Sequence, residues 1–203
     1  PIVARSQGGH NAGHTVIVNR SQFVLHLIPS GILHPDVVCV IGNGVVIDPV
    51  ALLAELDLLS EQGIDTKGRV LISDRAHLVL PYHRDLENLA EVSRGSNRIG
   101  TTSRGIGPSY EDKSGRHGIR ISDVVHEPSK SRLEATIRAN VETCNRLTGT
   151  EQNGKDWAEI LGTVVRLGSQ LAPMVVDVST YLDNAMRSGQ SILFEGAQGT
   201  MLD

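Results

Sequence analysis

Short apolar runs alternate with amphipathic helical stretches along this chain, and the runs tend to end in glycine. Residues 37–41 form a continuous apolar run that empties into Gly42-Asn43-Gly44. Residues 69–73 and 192–194 repeat the pattern, the latter running into Glu195-Gly196-Ala197-Gln198-Gly199-Thr200. Residues 1–5 read as the end of a strand. The runs at 15–18 and 23–28, around a polar 19–22, read as a hairpin. Between these runs lie helices. Asp48 suits an N-cap, Pro49 the first helical position and Gly63 the stop, with Leu52, Leu53, Leu56 and Leu59 on one face. A second helix covers 82–94. Leu133, Ile137, Val141 and Cys144 mark another, and Trp157, Leu161, Val164 and Leu171 one more. Residues 95–118, rich in glycine and cations, read as irregular. Runs that are apolar throughout are strands buried on both faces, so the expected fold is α/β with a mostly parallel central sheet flanked by helices.

No repeat, linker or low-complexity tract interrupts the 203 residues, so they read as one compact unit. A net charge of -4 gives no overall pull toward nucleic acid, and an aromatic content of 3% argues against a base-stacking platform. No run nears the ~20 apolar residues of a membrane span. The chain is therefore expected to be cytoplasmic, to bind neither nucleic acid nor membrane, and to keep Cys39 and Cys144 as free buried thiols; one disulfide is the other reading.

In parallel sheets ligands collect beyond the carboxyl ends of the strands. Three segments are placed there: 7–15, 100–116 and 195–200. The first, Gln-Gly-Gly-His-Asn-Ala-Gly-His-Thr, lets main chain approach an anion closely. Composition alone favours the plainer reading, a glycine-rich turn before a hairpin. The spacing of His10 and His14 resembles a helical zinc pair, but so many glycines argue against a helix there. In the second segment, small hydroxyls stand among Arg94, Arg98, Arg104, Lys113, Arg116 and Arg120, opposed only by Glu111 and Asp112. That excess suits an anionic ligand or a solvated basic loop. In the third, Gln198 offers a donor and an acceptor together, which suits a purine edge. No complete Gly-x-x-x-x-Gly-Lys-[Ser/Thr] loop occurs.

Taken together the strings are more specific. Gln-Gly-Gly-His-Asn-Ala-Gly-His-Thr at 7–15, Leu-His-Leu-Ile-Pro-Ser-Gly-Ile-Leu at 25–33, Ile-Gly-Asn-Gly-Val-Val at 41–46, Gly-Thr-Thr-Ser-Arg-Gly-Ile-Gly-Pro at 100–108, Tyr-Glu-Asp-Lys at 110–113 and Phe-Glu-Gly-Ala-Gln-Gly-Thr at 194–200 resemble the adenylosuccinate synthetase family in order and spacing. The resemblance covers essentially the whole chain and implies a P-loop-NTPase-like α/β fold with a β-hairpin and glycine-rich active-site loops. It implies a ligase that joins L-aspartate to IMP with GTP as co-substrate and Mg2+ as cofactor. The family acts as a homodimer and proceeds through 6-phosphoryl-IMP.

Position by position, the resemblance assigns His14 as catalytic acid and Gln198 as the residue that addresses the purine near its activated oxygen. Asn11 and Thr102 match IMP-binding positions near the phosphate. Gly13 matches a residue whose main-chain carbonyl helps hold Mg2+. Arg116 matches an arginine that reaches the partner subunit's IMP. Regions 15–26 and 93–104 correspond to loops that order on ligand binding. Ser103 stands where many members have glycine.

By the same resemblance, residues 1–203 form the central portion of one longer domain. The family's phosphate loop, with its aspartate base, is expected before Pro1. The guanine site and the aspartate-binding loop are expected after Asp203. The chain alone is therefore expected not to turn over. The alternative reading is a non-catalytic module that binds IMP or phosphate.

Overall fold

The computed structural model describes residues 1–11, 13–126, 130–150 and 154–198. At its centre β1 (Ile2–Gly8) lies between β4 (Val38–Ile47) and β8 (Ile192–Glu195). Beyond β4 come β5 (Val70–Ser73) and β7 (Val175–Val176), while the short β6 (His77–Leu78) pairs with the far end of β4. Every pairing in this sheet is parallel. The α/β reading therefore holds. A separate antiparallel hairpin joins β2 (His14–Val18) and β3 (Ser21–Leu25).

The pleat sorts side chains to two faces. Ile2, Ala4 and Val40 pack under α7 (Val178–Arg187) with Val178 and Ala185. Cys39 and Ile41 point the other way, into the larger core beneath the remaining helices. There α1 (Pro49–Glu61) begins as its residues dictate: Asp48 accepts from the amides of Val50 and Ala51 at 3.0 and 3.2 Å, and Pro49 has no N–H to satisfy. Gly63, at φ +81°, follows the stop. In α5 (Lys130–Thr148) the buried positions are Leu133, Ile137, Val141 and Cys144, as the spacing predicts. Asp156 caps α6 (Trp157–Leu171) by accepting from Ala158 N–H at 2.8 Å. Both cysteines are buried free thiols, and burial pushes Cys39 up to about 12.

Three expectations are corrected. The strand beginning near residue 37 does not stop before Gly42-Asn43-Gly44; β4 runs through it to Ile47. The glycines answer a register shift. Arg5 pairs with Ile41 but Gln7 pairs with Gly44, and a Cβ on Gly44 would lie 2.1 Å from the Ser6 carbonyl oxygen. Two backbones that close leave no room for a side chain.

The hairpin is also tighter than its polar stretch suggested. Val18 pairs with Ser21, so only Asn19 and Arg20 turn, at φ 50° and 70°, both left-handed as a two-residue hairpin loop needs. Residues 26–28 leave β3 and are held from α1 instead. Buried Glu55 accepts the amides of His26, Leu27 and Ile28 at 2.8, 2.8 and 3.2 Å.

Finally, the segment 95–118 is not irregular throughout. It contains α3 (Ile106–Gly115), which packs against α2 (Pro81–Ser93). Its buried residues are Ile106, Pro108, Ser109 and Asp112, too few of them aliphatic to show a period.

Candidate functional site

The site grows from the carboxyl end of β1. Gly8 sits there at φ +90°, and a Cβ on it would meet the Ala197 side chain at 2.3 Å. The chain after β8 is thus packed directly on the chain ending β1. Tyr110 of α3 reaches the same point. Its hydroxyl accepts from Gly8 N–H at 2.8 Å and donates to the Gly44 carbonyl at 2.8 Å. Burial raises the pKa of this phenol, although the Gly8 amide opposes the shift. Next to these contacts is a hollow of about 230 Å³ lined by Gln7, Gly8, Asn11, Ile106, Tyr110, Ala197 and Gln198. It lies beyond the carboxyl ends of β1 and β8, where a parallel sheet gathers ligands.

The glycine segment is anchored from behind. His10 is buried, with Nε2 3.8 Å from an Asp48 carboxylate oxygen. Arg84 already holds that oxygen at 2.6 Å. Burial therefore dominates, and with Arg104 and Arg84 nearby it lowers His10 to about 4 in spite of Asp48. The Arg104 guanidinium donates to the His10 carbonyl, fastening the 98–105 stretch beside the glycines. On the other side of that stretch, Glu91 accepts from the amides of Ile99 and Gly100 at 3.3 and 2.9 Å.

Of the residues singled out from the sequence, Asn11 and Gln198 line the hollow together. His14 is half-buried at the start of β2, opposite Leu25. Gly13 is exposed and passes so near the His26 ring that a Cβ would lie 2.5 Å from it. Thr102 and Arg116 are exposed and stand outside the lining of the hollow. Ala12, Gly199 and Thr200 lie outside the described residues.

Two members of this assembly carry no local sequence signal for their part in it. Nothing in the residues around Tyr110 marks a phenol that binds two strands. Asp48 reads locally as a helix cap, yet its second oxygen serves Arg84 and faces His10. Among the described residues, no group of three or more His, Cys, Asp or Glu side chains is placed to hold a metal ion.

The family profile described as adenylosuccinate synthetase matches residues 1–203. Curated relatives carrying that name include the protein of Desulforamulus reducens, 48% identical over 204 residues, and that of Heliobacterium modesticaldum, 49% identical over 203. Each alignment takes in 100% of this chain and 47% of the relative. A solved structure, the fully ligated adenylosuccinate synthetase from Plasmodium falciparum, superposes with a TM-score of 0.87 at 30% identity. That superposition covers 100% of this chain and 46% of the other. The chain spans about half the length of the relatives it matches.

Proposed function

We propose, because this chain belongs to the adenylosuccinate synthetase family, that the intact protein ligates L-aspartate to IMP and converts GTP to GDP and phosphate. The 6-oxygen of IMP is a poor leaving group. Transfer of the GTP γ-phosphoryl group onto it gives 6-phosphoryl-IMP. The aspartate amine then attacks C6, and phosphate departs with the original oxygen, leaving adenylosuccinate. Such a transfer depends mainly on positioning and charge stabilisation.

The observation that carries this reading is the hollow shared by Asn11, Tyr110 and Gln198, where three separated segments meet. In it Gln198 addresses the purine beside the 6-oxygen and Asn11 takes the nucleotide phosphate, which Thr102 meets from outside the hollow. His14 holds a proton for the oxygen carrying the new charge, as an imidazole can near neutral pH. Arg116 serves the IMP of the other subunit in a homodimer.

For magnesium, this chain offers one main-chain ligand in this reading, beside the aspartate base expected in the phosphate loop. The exposed main chain at Gly13 can offer its carbonyl, and Mg2+ ordinarily keeps water and substrate phosphates as its other ligands. When bound it neutralises phosphate charge. A cytoplasmic setting belongs to the same reading; among the described residues no helix is long and apolar enough to cross a membrane. The 203 residues by themselves do not turn over in this reading, because the guanine site and the base lie in the rest of the protein.

The test is an assay of the intact protein with IMP, aspartate and GTP. Adenylosuccinate formed in step with GDP, and lost when any one substrate is left out, is the expected result. IMP binding with no product under any nucleotide would leave the module reading standing instead.

A further inference from the structure

Arg116 closes α3 with a backbone that side chains avoid, φ 65° and ψ 25°, although Gly115 and Gly118 stand close by. Left-handed conformations at non-glycine residues persist where the surroundings over-determine them, and they concentrate at functional positions. Here the surroundings do so. The Asp112 carbonyl accepts both His117 N–H and Gly118 N–H, at 3.1 and 3.0 Å. The Asp112 carboxylate meets His117 Nδ1 at 3.0 Å. Asn140 of α5 donates to the His117 carbonyl at 3.0 Å. The His117 ring lies across Gly115, where a Cβ would come within 2.3 Å of Nε2.

Asp112 is itself immobilised. Its Oδ2 accepts from the Tyr82 hydroxyl and from His83 Nε2, both at 2.9 Å. His83 Nδ1 accepts the Leu80 amide at 2.8 Å, which leaves the ring proton on Nε2 to face the carboxylate. Burial works against the Asp112 charge, but these hydrogen bonds and the nearby His117 hold its pKa below the usual carboxylate value. All this bracing ends at one exposed guanidinium, which among the described residues takes no hydrogen bond or ion pair.

We infer that Asp112 and His117 are positioning residues for Arg116: the carboxylate, held by Tyr82 and His83 of α2, pins His117 and so sets the direction in which the Arg116 side chain leaves α3 toward a second copy of this chain. The inference rests on the reading above, in which Arg116 serves the other subunit's nucleotide. A backbone held in the left-handed region points Cβ where a helical residue would not, and that direction disappears if the turn relaxes.

The experiment uses the intact protein with IMP as the varied substrate. His117 is 58% exposed along its side chain, so replacing it spares the core. Arg116→Leu is expected to raise KM for IMP by about 10-fold or more, and His117→Ala by roughly 5- to 20-fold with kcat within about twofold, the pattern of lost binding rather than lost chemistry. His117→Asn, whose amide can donate from the place of Nδ1, should return KM to within about twofold of the parent. The double variant Arg116→Leu with His117→Ala should match Arg116→Leu alone, because one residue acts through the other. If Arg116→Leu impairs IMP use while His117→Ala does not, or if the two effects multiply, the positioning role is overturned and the cross-subunit reading stands. If Arg116→Leu leaves KM unchanged, the cross-subunit reading itself falls and takes the inference with it.

Discussion

Gly8 and Tyr110, 102 positions apart, share a 2.8 Å hydrogen bond in which the glycine amide donates to the phenol oxygen. Because the same hydroxyl donates onward to Gly44, helix α3 is fastened at once to the end of β1 and to the neighbouring strand β4. One wall of the hollow is therefore set by Gln7 and Gly8 of β1 together with Tyr110, which β4 helps to hold in place.

Tyr110→Phe keeps the ring and removes the oxygen, leaving the Gly8 amide without its acceptor. Loss of a buried partner of this kind costs about 1–3 kcal/mol. Urea unfolding of the intact protein should show a loss in that range, and KM for IMP should rise several-fold. A variant with unchanged stability and unchanged KM would mean that water replaces the hydroxyl and that the clamp is incidental.

His14→Asn should lower kcat by about 10²- to 10⁴-fold, the range for removal of a general acid. IMP affinity, measured by equilibrium binding, should stay within several-fold, since Asn11 and Gln198 remain. Undiminished turnover in this variant would remove His14 from the chemistry.

Acid should weaken the fold through two buried imidazoles. Burial lowers both His10 and His77 to about 4. In the unfolded chain such groups take up protons near ~6.5. Between those values the unfolded state binds protons that the folded state does not, so this stability is complete above pH about 6.5 and falls as the pH drops toward about 4. At most about 3 kcal/mol is lost for each group. Unfolding midpoints should fall between pH 7 and pH 5, and His10→Gln should flatten the slope. Identical slopes in parent and variant would contradict the assignment for His10.

Ser103 occupies a left-handed position, φ 54°, a conformation that favours glycine. Serine is penalised there by about 1–2 kcal/mol, offset in part by the extra freedom glycine has when unfolded. Ser103→Gly should leave stability unchanged or raise it by up to about 1 kcal/mol, with KM for IMP within twofold. A clear loss of stability by thermal melting would show that the serine side chain holds the loop in a way the backbone does not reveal.

Much of this architecture was already written in short-range chemistry. Asp48 with Pro49, the fourfold spacing through Leu133, Ile137 and Val141, and the apolar run ending at Ile41 each declare an element from neighbours alone, because caps and periodicity act over a single turn. The ordered glycine strings declared the family as well. What no local pattern could decide was how far β4 runs past its glycines, that α3 exists within a basic glycine-rich stretch, and that Tyr110 ties Gly8 to Gly44. Each depends on a partner dozens of residues away: Ser6 against Gly44, α2 against α3, β1 against Tyr110. Only the folded chain brings those partners within a few ångströms, so tertiary packing alone decides the shape of the hollow and the residues that face it.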